Sequence, residues 1–455
     1  MPRRPNILYI FTDQQEARAM SCAANRDIRT PAIDSIAERG VRFEKAYCTF
    51  PLCTPSRASM FTGMMPHQIG IDRNGQAIAE DRRLAELGHV LSSNGYECVY
   101  GGKWHIPEIA IPDGHGFRRI CGFTDWELPK RCAEFILQEH AKPFFLVAAF
   151  DNPHNICEWS REQPLPWGPV EKAPPGECPD LPPNFAVSDC EPEALRCEQQ
   201  ALPMYRARAF TPDDWRCYRY AHYRLVEKVD AGIMTILTVL RNTGQDTNTL
   251  IIFSSDHGDG MGAHQWNQKS ALYEECTRVP LIVAPPGQRT LGRTDSTHLV
   301  SNGLDLYPTI CDYAGVHMPP GPHGLSLRPV LEAERSNEWR QCVVVETLFD
   351  GGLGTHGLMM RTGKYKYCLY SWGKYREQLF DLENDPGEMV NLAGETSCQP
   401  ELQQHRDMLA RWIEETDYRQ GTHYAHPRVR PLVPGQEYPS GEGRVRANKG
   451  IHPTP

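Results

Sequence analysis

Cys53-Thr54-Pro55-Ser56-Arg57-Ala58-Ser59-Met60-Phe61-Thr62-Gly63 is the stretch from which the rest of the chain can be read. Pro55 suits the first turn of a helix and Gly63 its end, so Cys53 is expected just before a helix N-terminus. Free backbone N–H groups and the positive end of the helix dipole favour an anion there. Arg57 follows four residues later, close enough to reach the same anion with its planar fork. A buried cysteine is ordinarily inert, so the flanking sequence must give the reason to read more into this one.

Working outward, four apolar runs each end in polar residues. Asn6–Phe11 stops at Asp13-Gln14, and Tyr96–Tyr100 runs into Gly101-Gly102-Lys103-Trp104-His105. Phe144–Phe150 leads to Asp151-Asn152-Pro153-His154, and Leu250–Ser255 to Asp256-His257-Gly258-Asp259. Helices are expected between them: Thr30–Arg39, Leu84–Ser93, and a long one opened by Thr211-Pro212-Asp213-Asp214 and ending at Gly244. Buried strands alternating with helices indicate an α/β sheet whose ligand site lies beyond the strands' carboxyl ends.

Cys-x-Pro-Ser-Arg resembles the signature of the sulfatase family, and the resemblance recurs from Asn6 to about Leu392. It implies an alkaline-phosphatase-like fold: a large, mixed, mostly parallel sheet flanked by helices, plus a small C-terminal antiparallel sheet. It further implies that Cys53 is oxidised to formylglycine by a formylglycine-generating enzyme, and that the hydrated aldehyde is the nucleophile. Asp13, Gln14, Asp256 and His257 match the family's metal positions around Cys53. The commonest family pattern has Asp at position 14 and often Asn at 257. Two carboxylates and an amide oxygen make a hard site for one divalent ion, Ca²⁺ favoured; His257 brings Mg²⁺ or Mn²⁺ into play.

The same resemblance makes Arg57 a stabiliser of the nucleophile and sulfate, Lys103 a sulfate ligand, and His105 the base that helps release sulfate and regenerate the aldehyde. Alternation would put Lys103 and His105 on one side if their segment stays extended. His154 and Lys269 match the family's Pro-His segment and late lysine, and either could donate to the leaving oxygen. Asp259 reads as the cap of the following turn, Arg278 as a structural anchor, and His264 and His356 as minor candidates.

The chain has 455 residues, enough for a large core and a smaller second unit. Its 48 Lys and Arg against 57 Asp and Glu leave a net charge of −9, which argues against a nucleic-acid or anionic-membrane partner. The opening apolar run is too short for a secretory signal, and the sixteen cysteines read as reduced cytosolic thiols.

Residues 1–335 are assigned to the catalytic unit, with 156–209 a long excursion near the pocket. Residues 336–426 form the C-terminal unit, in which Cys342–Thr347, Gly357–Arg361, Tyr365–Tyr370 and Gln378–Asp381 alternate with turns and Glu401–Glu415 closes as a helix. A tail, 427–455, follows, and a homo-oligomer is possible. The expected function is hydrolysis of a sulfate monoester, of a small molecule or oligosaccharide, carbohydrate sulfate favoured. A phosphonate monoester or phosphodiester hydrolase with the same nucleophile, and a non-catalytic binder of sulfated glycans, are the alternatives.

Overall fold

The computed structural model describes residues 4–425 apart from 107–112, 203–206, 208, 288–289, 322 and 334–338; the tail 427–455 lies outside the described residues. An eight-stranded sheet is centred on strand Asn6–Asp13, which pairs in parallel with Phe144–Pro153 on one side and Thr249–Ser255 on the other. Strands Glu97–Gly102 and Arg118–Cys121 extend the parallel side. Leu281–Ala284 joins antiparallel, and Val41–Phe43 and Arg293–Asp295 complete the far edge.

The central strand is buried along its whole length because both its faces are covered. Leu8 and Ile10 face the helix Pro31–Arg39 and the long helix Pro212–Asn242, meeting Ile33, Ile36, Ile233 and Leu240. Ile7, Tyr9 and Phe11 face the other way, joining Met60 and Phe61 of helix Cys53–Thr62 and Leu306 and Ile310 of helix Asn302–Ala314. Strand alternation thus sorts one apolar run into two cores. Gly303 permits the last two helices to approach: a Cβ there would lie 2.9 Å from the Ser59 Cβ.

Some boundaries differ from expectation. Cys53 is the first helical residue, after Leu52 as N-cap, and Pro55 stands within the first turn, where no intrahelical N–H is needed. Gly63 ends that helix with φ 67°, donating its N–H to the Ser59 carbonyl at 2.8 Å. The helix expected over Leu84–Ser93 begins three residues later, at Leu87, and a separate short helix, Glu80–Arg83, precedes it with Leu84 exposed between them. Excursion 156–209 contains a helix, Glu193–Ala201, that its composition did not announce.

The C-terminal sheet is an antiparallel meander of Val343–Leu348, His356–Arg361, Tyr365–Tyr370 and Glu377–Asp381. Helix Gln399–Thr416 covers one face through Leu402, Leu409 and Ile413. The other unit is stitched to it: the Glu346 N–H donates to the Thr49 carbonyl, and the Thr347 hydroxyl to the Ser270 carbonyl at 2.6 Å. Buried Lys366 pairs with Glu274 at 3.2 Å and Glu388 at 2.7 Å. Among the described residues no helix is long and apolar enough to cross a membrane.

Candidate active site

Each apolar run of the large sheet delivers its terminal polar residues to one place. Ligand atoms of Asp13, Cys53, Asp256 and His257 all lie within 4.8 Å of one another, and all four residues are buried. Cys53 Sγ is 3.3 Å from His257 Nε2 and 3.6 Å from Asp13 Oδ1. His257 donates its Nδ1–H to the Gly258 carbonyl at 2.9 Å, which fixes the ring with Nε2 turned towards Cys53 Sγ. Two carboxylates and one oriented imidazole, all out of water, suit a divalent cation, and this donor chemistry fits the metal that the sequence implies.

Arg57 does not extend towards a ligand. Its Nε donates to Asp256 Oδ2 at 2.8 Å and its Nη2 to Asp13 Oδ2 at 2.9 Å, while Nη1 reaches the Lys103 carbonyl. Each of its three nitrogens donates within the protein, and two of them bridge the carboxylates and hold these in register. The Phe11 ring, 5.1 Å from the guanidinium carbon, closes the other side.

Two lysines approach from opposite elements. Lys103 Nζ sits 2.7 Å from Asp13 Oδ2 and 2.9 Å from Asp151 Oδ1. Lys269 Nζ donates to Cys53 Sγ at 3.1 Å. Burial opposes charge on both, yet the neighbouring carboxylates and thiolate hold their ammonium groups above the ordinary lysine range. Burial and Asp13 push the Cys53 thiol up, but Lys269, His257 and Lys103 outweigh them and draw it well below its usual value. Within the carboxylate pair, burial raises Asp256, whereas Lys103, His154 and Arg57 overcome burial at Asp13 and keep it ionised.

Gln14 lies beside this group with φ 70°, its N–H on Asp256 Oδ1 at 3.1 Å. Its side-chain nitrogen donates to Asp259 Oδ2 at 2.8 Å, and its Oε1 accepts from the Cys157 thiol at 3.5 Å. Asp259 caps its turn through the Met261 N–H, as expected, and also takes the Tyr218 hydroxyl. His154 is partly open, 3.9 Å from Asp151, and burial followed by the Lys103 and Lys269 charges holds its imidazole well below the ordinary value. His105 is exposed and has φ 57°, so the segment after Lys103 turns instead of staying extended; its carbonyl accepts from the Thr54 hydroxyl. His264 stacks on Tyr273 at 4.2 Å, Arg278 reaches Glu274 at 3.9 Å, and the His356 N–H donates to the Ser371 hydroxyl.

Asp151 and Asp125 escaped selection from the sequence. Asp151 bridges Lys103, the Asn155 side chain and the Trp167 indole, and Asp125 takes the Asp151 and Asn152 N–H groups at 2.7 Å each. Asp151 carried a signal, being the first polar residue after a buried run; Asp125 carried none, because its partners lie across a loop.

The Sulfatase family model matches residues 5–316, and the model for the C-terminal part of N-sulphoglucosamine sulphohydrolase matches residues 262–415. A Delta 4,5-hexuronate-2-O-sulfatase of Bacteroides thetaiotaomicron is 33% identical over 97% of this chain and 95% of its own length. An N-acetylglucosamine-6-O-sulfatase of the same organism is 27% identical over 91% of this chain and 86% of its own. The solved structure of a 2-O GAG sulfatase superposes with TM-score 0.84 and 31% identity, covering 98% of this chain and 100% of that one. A phosphonate monoester hydrolase of Agrobacterium radiobacter, 21% identical with TM-score 0.76 over 91% of this chain and 96% of that one, shares the fold. The chain therefore belongs to the sulfatase family, and the protein is a sulfuric ester hydrolase of alkaline-phosphatase-like fold.

Proposed function

We propose that the protein releases sulfate from a sulfated carbohydrate, using formylglycine at Cys53 and one divalent ion held by Asp13, Gln14, Asp256 and His257. Calcium is favoured on the oxygen-rich donor set, with magnesium or manganese as alternatives. The observation that carries this reading is the convergence on Cys53 Sγ of Lys269 Nζ at 3.1 Å, His257 Nε2 at 3.3 Å and Asp13 Oδ1 at 3.6 Å. The sugar sulfates named for relatives that align along nearly the whole chain support the substrate class.

When present, the ion supplies a Lewis acid and the aldehyde hydrate an oxygen nucleophile. Asp13 and Asp256 supply negative charge to the ion, and Arg57 keeps them in place. Lys103 and Lys269 bind sulfate oxygens and offset the charge that gathers there as the S–O ester bond breaks. His154, on the open side, hydrogen-bonds the ester oxygen that departs as the sugar hydroxyl, and His105 takes up the proton whose removal frees sulfate. Water is consumed; inorganic sulfate and the desulfated sugar leave.

The test begins with co-expression with a formylglycine-generating enzyme and mass spectrometry of the peptide containing Cys53. Sulfate, phosphonate and phosphodiester forms of one leaving group are then compared, followed by a panel of sulfated sugars. Preference for phosphonate or phosphodiester, or full turnover with unconverted Cys53, would sink the proposal.

A further inference from the structure

The loop after strand Arg118–Cys121 exposes an aromatic ring beside the reaction centre. Within Gly122-Phe123-Thr124-Asp125, the Asp125 carboxylate accepts the Asp151 and Asn152 N–H groups at 2.7 Å each, which pins the loop against the His154 turn. Phe123 nevertheless stays 53% exposed. Lys103 Nζ lies 5.7 Å from its ring centroid and 2.7 Å from Asp13 Oδ2, so the ring borders the group that would grip sulfate.

Trp167 arrives from the excursion to the same spot. Its indole N–H donates to Asp151 Oδ2 at 2.9 Å, and its ring stands 5.7 Å from Phe123 at 76°, edge to face. The open ring therefore has a fixed aromatic neighbour: Trp167 is bonded to the Asp151 carboxylate that also holds Lys103, and the Phe123 loop is held to the Asp151 N–H through Asp125. A single exposed aromatic residue means little. One on a loop pinned by a buried carboxylate, with a second aromatic fixed beside it from another loop, is a built surface.

The geometry points to Phe123, backed by Trp167, as the shelf on which the sugar unit carrying the sulfate lays its apolar face. A pyranose presents axial C–H bonds made slightly positive by the ring oxygens, which complement the negative face of an aromatic ring. With sulfate at Lys103, the carbon that bears it stands next to Phe123. The shelf discriminates by shape: a saturated six-membered ring covers it and a short alkyl chain does not. This inference rests on the carbohydrate reading of the site and names the residues that select for it.

The experiment uses the mature enzyme with a sulfated disaccharide that wild type hydrolyses, alongside inorganic sulfate as a competitive probe of the anion site alone. Phe123→Ala should raise KM for the disaccharide about ten-fold, with kcat within about two-fold, as for loss of one stacking contact. Inhibition by inorganic sulfate should be unchanged. Phe123→Tyr should behave as wild type, whereas Phe123→Leu, apolar but not flat, should resemble Phe123→Ala. Unchanged KM in Phe123→Ala, or sulfate inhibition weakening in step with KM, would overturn the shelf. Should wild type hydrolyse other sulfate esters and no sulfated sugar, the carbohydrate reading fails and the shelf falls with it, a result visible in wild type alone.

Discussion

Lys269 Nζ lies 3.1 Å from Cys53 Sγ, joining residues 216 positions apart. The lysine sits between two residues in the left-handed region, Gln268 at φ 62° and Ser270 at φ 72°. Surrounding bonds hold that backbone: Ser270 N–H to the Pro51 carbonyl, Gly260 N–H to the Gln268 carbonyl, and the Trp266 indole to the Lys269 carbonyl. A costly conformation held from several sides is what a preorganised cation requires.

Lys269→Ala should therefore lower kcat by about 10²–10³, the usual loss for one preorganised charge at a reacting centre. Steady-state kinetics on mature enzyme, with the thermal midpoint as control, measure it. A fall of less than about three-fold would remove Lys269 from the reaction.

Arg57→Lys should be poorly tolerated although the charge is kept. An ammonium cannot span Asp13 and Asp256 as the fork does at 2.9 and 2.8 Å. Breaking one arm of a buried ion network costs about 3–5 kcal/mol, and metal affinity should drop about 10–100-fold. Denaturant titration and metal-binding calorimetry read the two effects separately.

Chelation should reduce both activity and thermal midpoint, because Asp13 and Asp256 are buried together and repel once the cation is withdrawn. Scanning calorimetry with and without chelator, then with Ca²⁺, Mg²⁺ or Mn²⁺ restored singly, shows which ion returns the midpoint. No shift on chelation would contradict a metal at this group.

Acid should weaken the seam between the two units. Burial alone would raise Glu274, but Lys366, Arg278 and Arg361 outweigh it and bring it from 4.5 to about 2. A carboxylate depressed in the folded state adds stability above pH 4.5, and that stability drains away as pH falls towards 2. Glu274→Gln should flatten this acid limb in urea midpoints measured against pH. Glu388, which burial pushes up to about 7, acts in the opposite sense, its share falling as pH rises from 4.5 through 7.

The sheet was legible because its central strands are continuous apolar runs with abrupt polar ends, and the capping box at Thr211 marked the long helix. The assembly of Asp13, Cys53, Asp256 and His257 followed from those ends and from the family resemblance. Other features depended on contacts that a linear reading lacks. Arg57's spacing gives its reach and not its destination, and the turn at His105 overrides the alternation assumed from Lys103. Helix Glu193–Ala201 gains its place from tertiary bonds, Arg196 to the His264 carbonyl and Gln199 to the Gln265 carbonyl.

The bond from the Thr347 hydroxyl to the Ser270 carbonyl makes the C-terminal meander the back wall of the loop that aims Lys269. Modular exchange between relatives is constrained accordingly. A chimera divided near residue 335 would inherit a loop from one parent and its brace from the other, so recombination should succeed only when both halves of that joint come from one source.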